Sequence, residues 1–187
     1  MDHTISGSFE SISIQPLRLG EIETLRLIRN REEIRACFFC SSIISTEEQQ
    51  TWYAGYLKEP NDYMFSIFSK KTGDWIGAAA LYNVDEAKGQ AEFGRLLITP
   101  DCKERGLGKA TVRGVCSIGF AQLGLGSIYL EVFEANRPAF TCYTHVGFHT
   151  VCRSERNGYQ TLLMKLSRDC FNPASALRNN NDFTPRT

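Results

Sequence analysis

The protein has 187 residues, the length of one domain with a short tail rather than two full domains. With 42% hydrophobic residues it can bury a genuine core, which excludes global disorder. Its 21 Lys plus Arg balance 21 Asp plus Glu, so no overall field draws it to nucleic acid or an anionic membrane, and an anionic ligand must be held by a local device.

Met1 to Glu10 lacks both a basic n-region and an apolar h-region, and no later stretch approaches the ~18 apolar residues of a membrane span. A flexible leader over 1–10 and a soluble, cytoplasmic protein are expected. Residues 11–18 (SISIQPLR) alternate apolar and polar like an edge strand, with Pro16 limiting the pairing. From Glu21 to Phe39 the pattern turns helical through Ile22, Leu25, Leu27 and Ile28, and Asn30 is placed to cap a second short helix at Arg31 to Arg35. Ser45 and Glu48 form a capping box ahead of a third helix through Trp52, Tyr53 and Tyr56.

The period then changes. Tyr63 to Ser69 and Trp75 to Tyr82 are apolar runs joined by a Lys-Lys-Thr-Gly-Asp turn, a hairpin signature, and Ala91 to Thr99 follows as a third run stopped by Pro100. Three antiparallel neighbours are the simplest arrangement. Gly106 to Leu123 carries Leu107, Ala110, Gly114, Val115, Ile118 and Ala121 on one helical stripe. Ser127 to Glu134 reads as a central buried strand, and a last helix starts near Pro138. Phe148 to Arg153 and Tyr159 to Leu166 close a domain spanning 11–167 as a hairpin. Residues 168–187 are polar, with Pro173, Pro185 and three consecutive asparagines, and are expected to form a loose tail.

The chemistry concentrates in two segments. A glycine-containing turn feeding a helix, residues 100–110, leaves unpaired backbone N–H groups at the positive end of the peptide dipoles, which suits a phosphate. Gly106 and Gly108 admit close approach, while Lys103, Arg105 and Lys109 add local charge. Alone, the segment is equally an ordinary strand-to-helix turn. The second segment, 134–148, repeats Asn136, Ala139, Tyr143 and Gly147 at helical spacing, so an amide, a small residue and a phenol share one face.

With K-x-x-G-x-G-K-A at 103–110 and N-x-x-A-x-x-x-Y-x-x-x-G-F at 136–148, the sequence resembles the GNAT superfamily of acetyl-CoA-dependent N-acetyltransferases. Tight matching covers about residues 90–148. Lys103 departs from the Gln or Arg usual there, replacing a bidentate fork by a point charge. The resemblance implies an α+β, three-layer fold with a mixed, mostly antiparallel sheet of about seven strands flanked by helices and splayed near the fourth and fifth. It implies acetyl-CoA as co-substrate, its arm paired near Leu97 and Ile98, its pyrophosphate on Arg105, Gly106, Leu107, Gly108, Lys109 and Ala110, with Asn136 and Ala139 beside the arm and Tyr143 at the sulfur.

An amine attacks a thioester only as the free base, and the departing thiolate must gain a proton. Tyr143 suits the acid, since a phenol of pKa ~10 sits above a thiol of ~8.5. Glu92, at the start of the strand that splays, is the candidate base through a water; the other reading is a solvated strand-end glutamate. Glu131, on the strand opposite, is the second candidate. A strand N–H near Leu97 would meet the oxyanion.

Cys37 and Cys40 form a C-x-x-C, but no second pair follows and the three histidines lack ligand spacing, so no metal is expected. Seven scattered cysteines read as reduced thiols, Cys142 as a core thiol rather than a nucleophile. The segments 29–35 and 45–53 look like the branch that acetylates nucleotide-linked amino sugars, as in pseudaminic acid pathways, which borders the ribosomal-protein N-terminal acetyltransferases. For a sugar nucleotide, Phe38, Phe39, Trp52 or Tyr82 would stack a ring, Arg29 or Arg35 would pair a phosphate, and Asn30 belongs to the same segment. A peptide acceptor would want acidic residues instead. A silent acetyl-CoA-binding sensor is the alternative outside enzymology, although it would not need Tyr143. The partner expected is a small-molecule amine, with no nucleic acid or membrane, for a monomer or homodimer.

Overall fold

A computed structural model describes residues 4–102 and 106–172. In chain order it contains β1 (Gly7–Phe9), β2 (Ile12–Pro16), a 3-10 turn (Leu19–Glu21), α1 (Ile22–Arg29), α2 (Glu32–Arg35) and α3 (Thr46–Tyr56). There follow β3 (Tyr63–Ser69), β4 (Trp75–Asp85), β5 (Gln90–Ile98), α4 (Leu107–Ala121), β6 (Ser127–Phe133), α5 (Arg137–Val146), β7 (His149–Arg156), β8 (Tyr159–Ser167) and a closing 3-10 turn (Arg168–Cys170).

The strands form one eight-stranded sheet in the order β1-β2-β3-β4-β5-β6-β8-β7. The strand beyond the seven expected is β1, which pairs antiparallel with β2, so this part of the leader is ordered into the sheet. Every neighbouring pair is antiparallel except β5 with β6, whose parallel pairing requires the crossover that α4 supplies. The sheet has two covered faces. On one, α4 and α5 share a cluster with Ile14, Phe65, Leu81, Phe93, Ile128 and Met164. On the other, α1 and α3 bury Leu25, Ile28, Tyr53 and Tyr56 against Met64, Ala78, Ala80 and Leu97. These are three layers around a continuous sheet.

The capping box forms as expected: Ser45 Oγ accepts from Glu48 N–H (3.1 Å), and Glu48 Oε2 accepts from Ser45 N–H (2.7 Å). Asn30 does not cap α2, whose N-cap is Arg31. Instead Asn30 Nδ2 donates to Ile44 O (2.8 Å) and Oδ1 accepts from Ile44 N–H (2.9 Å), pairing like a short strand. Two bonds to one distant residue fix the α2–α3 loop, which a cap could not do.

The tail is also docked at its start. Arg168 donates through Nε to Leu125 O (2.8 Å) and through Nη2 to Phe120 O (2.7 Å), and Phe171 packs 5.1 Å from Phe120. Positions 173–187 of the expected tail lie outside the described residues.

The backbones of β4 and β5 approach closely at Gly77, where an added Cβ would lie 2.1 Å from Leu97 O. Gly77→Ala should therefore lower the unfolding free energy by about 1–3 kcal/mol, read from the urea midpoint, because the obstacle is main chain and cannot rotate away.

Candidate active site

The site begins with an irregularity in β5. Ala80 of β4 pairs with Gly94, and Ala78, two residues away, pairs with Leu97, three residues away, so β5 carries one extra residue. Arg95 takes the left-handed conformation there, with φ of 51°. Because side chains alternate, the insertion flips the strand: Phe93 faces the α4–α5 cluster, whereas Leu97 faces the α1–α3 cluster. The flipped half leaves its neighbour. Pairing of β5 with β6 covers only Gln90 to Glu92, and beyond it the two strands diverge around a cleft of about 490 Å³.

Tyr143 lies at the floor of this cleft. It is 8% exposed and sits edge-on between Phe93 and Phe148, each 6.0 Å away between ring centres. Burial first, with nearby cysteines adding, pushes its phenol well above the ordinary tyrosine value, so it stays protonated. Leu97, Ile98, Asn136 and Ala139 line the walls. Thr99 N–H bonds Ile76 O and the Leu97 carbonyl faces Gly77, so both look toward β4. By alternation, the main chain of Ile98 faces the cleft. Asn136 is the N-cap of α5, its Oδ1 accepting from Ala139 N–H (3.2 Å), which leaves its Nδ2 as a donor.

The helix expected to hold a diphosphate has Gly106 as its N-cap, with φ of 94°, and among the described residues nothing lies within 4 Å of where a Cβ would stand there or at Gly108. The Leu107 and Ala110 side chains are core, 2% and 1% exposed, so only their main chains could serve an anion. Ala110 N–H is already bonded to Gly106 O (2.9 Å), which leaves Leu107, Gly108 and Lys109 as the amides with no carbonyl one turn back within α4. The space and donor set fit a phosphate group. Lys103 and Arg105 lie outside the described residues.

Glu92 does not line the cleft directly. Its Oε1 accepts from Tyr82 Oη (2.5 Å) and its Oε2 from Asn83 Nδ2 (3.0 Å). Tyr82 does line it, and burial together with this bond raises the phenol's pKa. Gly94 makes room for that phenol, since a Cβ there would lie 2.7 Å from Tyr82 Oη. Glu131 also lines the cleft, but its carboxylate accepts from Thr161 Oγ1 (2.7 Å) and pairs with Arg156 (3.0 Å).

Beside the cleft, an apolar pocket of about 440 Å³ is lined by Leu25, Arg29, Phe38, Trp52, Met64 and Leu97. Arg29 and Trp52 thus share one space, with Trp52 stacked on Tyr56. Asn30 does not enter it, being held to Ile44 as above. Phe39 is on the opposite wall, edge-on to Phe133 at 4.5 Å.

Two features were not found from sequence. Arg95, anchored to Asp62 (2.7 Å), stacks on Tyr82 at 4.5 Å and lines both cavities. A groove of about 800 Å³ carries Glu59, Asp62, Asp85 and Glu86 and abuts this pair through Asp62 and Asn83. These acidic residues come from the α3–β3 loop and from the end of β4 with the turn after it, and no motif connects them.

Residues 12–149 match the model of the acetyltransferase (GNAT) domain family. The chain is 22% identical over 141 residues to spermidine N(1)-acetyltransferase of Escherichia coli K12, covering 75% of this chain and 74% of that protein. Among solved structures, spermidine N-acetyltransferase of Vibrio cholerae in complex with CoA and spermine superposes with a TM-score of 0.78 at 20% identity, over 86% of this chain and 97% of that one. A dodecameric structure of the Vibrio enzyme superposes with a TM-score of 0.69 at 19% identity, over 85% and 95%. At such identities the structural likeness establishes the fold. These relatives lie outside the amino-sugar and ribosomal branches expected from residues 29–53, which capping and core packing of Ser45 and Trp52 account for without a shared acceptor.

Since the folded state keeps Tyr143 neutral while the unfolded chain ionises it near pH 10, its contribution to stability is complete below about pH 10 and is lost as pH climbs toward the higher folded value. In alkaline urea titrations, Tyr143→Phe should lose stability less steeply above about pH 10 than the parent protein.

Proposed function

The chain belongs to the GNAT acetyltransferase family and is an acetyl-CoA-dependent N-acetyltransferase; from that premise we propose that it acetylates a primary amine of a small polycation of the polyamine class. The observation that carries the reading is the buried, protonated phenol of Tyr143 at the floor of the cleft that the β5 insertion opens beside β6.

Acetyl-CoA is the donor. The Leu107, Gly108 and Lys109 amides would hold its diphosphate, and Lys103 and Arg105, close by in sequence, would add positive charge. The main chain of Ile98 and Nδ2 of Asn136 would orient its arm, with Leu97 and Ala139 as walls. Tyr143 would protonate the departing thiolate, which its raised pKa permits only as charge builds on sulfur. The amine must lose a proton on the opposite side. Tyr82 Oη already donates to Glu92, so the phenol oxygen would accept that proton while passing its own to the carboxylate. Glu92 would thus act through Tyr82. Glu131 is less suited, since Arg156 neutralises it.

Two things support a polycation. The relatives above include spermidine N-acetyltransferases. The groove bearing Glu59, Asp62, Asp85 and Glu86 lies against the Tyr82–Glu92 pair, where the distal ammonium groups of a chain-like acceptor would be attracted. One observation favours a second acceptor class. Arg29 Nη1 is buried and without a partner among the described residues, and this side chain lines both cavities, an arrangement that would suit the phosphate of a nucleotide-linked amino sugar.

A screen following thiol release with spermidine, spermine, amino-sugar nucleotides and N-terminal peptides separates these readings. Polyamines should give the highest kcat/KM, and a sugar nucleotide exceeding them would overturn the assignment. Tyr143→Phe should lower kcat roughly 100-fold with little change in acetyl-CoA affinity. The double variant Glu59→Gln, Glu86→Gln should raise the polyamine KM by roughly threefold to tenfold at low salt, with kcat retained and the effect fading as salt increases.

A further inference from the structure

The C-x-x-C run has no part in the chemistry above, yet it occupies the mouth of the cleft. Cys37, Phe38, Phe39 and Cys40 all line that cavity, and the backbone bends at Phe38 and Phe39. The two rings go to opposite walls. Phe38 lies beneath the Arg29 guanidinium at 3.8 Å, on the side of α1. Phe39 meets Phe133 of β6 at 4.5 Å and carries the Arg156 guanidinium 4.5 Å over its ring. The segment is a strap from wall to wall, and at each end stands an exposed, free cysteine.

The two thiols have different surroundings, which sets an order of reaction. Cys40 Sγ is 3.1 Å from Ser42 Oγ, and the Arg29 side chain donates to the Cys40 carbonyl, bringing its charge beside the sulfur. The Ser42 hydroxyl foremost, then the Ser42 backbone and Arg29, hold this thiol below the usual cysteine range. Cys37 Sγ, among the described residues, donates to the Glu33 carbonyl at 3.5 Å, and no hydroxyl stands beside it as Ser42 does beside Cys40. The thiolate is the attacking form in disulfide exchange, so Cys40 is the nucleophile and Cys37 the resolving thiol.

We propose that Cys40 and Cys37 form a reversible thiol–disulfide site that latches the strap across the acetyl-transfer cleft, with a small organic disulfide as the oxidant. In the first step the Cys40 thiolate attacks the disulfide R–S–S–R. The Cys40 S–S bond forms, the R–S–S–R bond breaks, and one thiolate leaves, taking up the proton that Cys40 lost. In the second, the Cys37 thiolate attacks the Cys40 sulfur of the mixed disulfide and expels the second thiolate, which takes up the proton of Cys37. Two cysteines are oxidised and one small disulfide is reduced to two thiols. The internal bond fixes the bend that separates Phe38 from Phe39, so the strap loses the freedom by which substrates pass it. The consequence for turnover rests on the acetyl-transfer reading of the cleft; the thiol chemistry does not.

The experiment treats the full chain with glutathione disulfide and follows intact mass, peptide mapping and thiol-independent acetyl transfer, each protein compared with its own reduced form. The wild type should lose two hydrogens, with the bond mapped between Cys37 and Cys40, and its turnover should fall by at least about tenfold and return with dithiothreitol. Cys37→Ser should stop at one glutathione on Cys40, and Cys40→Ser should form neither product and keep its own reduced rate. Absence of any bond or adduct at Cys40 would overturn the site, and a mapped Cys37–Cys40 bond with unchanged turnover would overturn the latch. Failure of the acetylation reading would instead be visible in the reduced enzyme, before oxidant is added.

Discussion

One inserted residue in β5 is what the rest of the site depends on. A regular β5 would keep pairing with β6 to its end, and the sheet would be closed where it now opens. With the extra residue at Gly94 to Leu96, the strand changes face and direction together, so Phe93 remains in one core and Leu97 enters the other. The left-handed Arg95 costs backbone energy, offset in part by its ion pair with Asp62 and its stacking on Tyr82. Asn83, which bonds Glu92, is left-handed as well, so strain gathers beside the opening.

The divergence also creates two chemically different sides. Toward α5 the cleft is apolar and deep, and there the Tyr143 phenol keeps its proton because its anion would be desolvated. Toward β4 the surroundings are ionic and partly solvated, with Glu92, Asp62 and the acidic groove close together. Acetyl transfer to an amine needs a proton donor for the departing thiolate and an acceptor for the incoming ammonium, and on the proposed reading these two environments would keep the two roles apart. The parallel pairing of Gln90 to Glu92 with β6 holds the two sides together at the closed end.

Local signals carried much of the fold. The capping box at Ser45, the three antiparallel runs of β3 to β5, and the helix closed by Gly147 rest on neighbours within a few residues, and they form where such neighbours place them. Asn30 shows where that reasoning stops. An asparagine before a short helix is suited to capping, but Ile44, distant in the chain, offers it two backbone bonds instead of one. Glu92 is similar: its position on the strand was legible, whereas its engagement by Tyr82 and Asn83 depends on the register with β4.

By itself the sequence determined that this chain has a glycine-lined helix start and an Asn-to-Tyr helix face in the order of an acetyltransferase, because each is a pattern within one contiguous segment. Only the tertiary structure decided which main-chain groups of β5 face the cleft, that Arg95 lines it while pairing with Asp62 of the acidic groove, and that Phe38 and Phe39 strap its walls. Those contacts join residues far apart in the chain, and their partners are chosen by strand register and by the inserted residue, which leave no periodic mark in the amino-acid order.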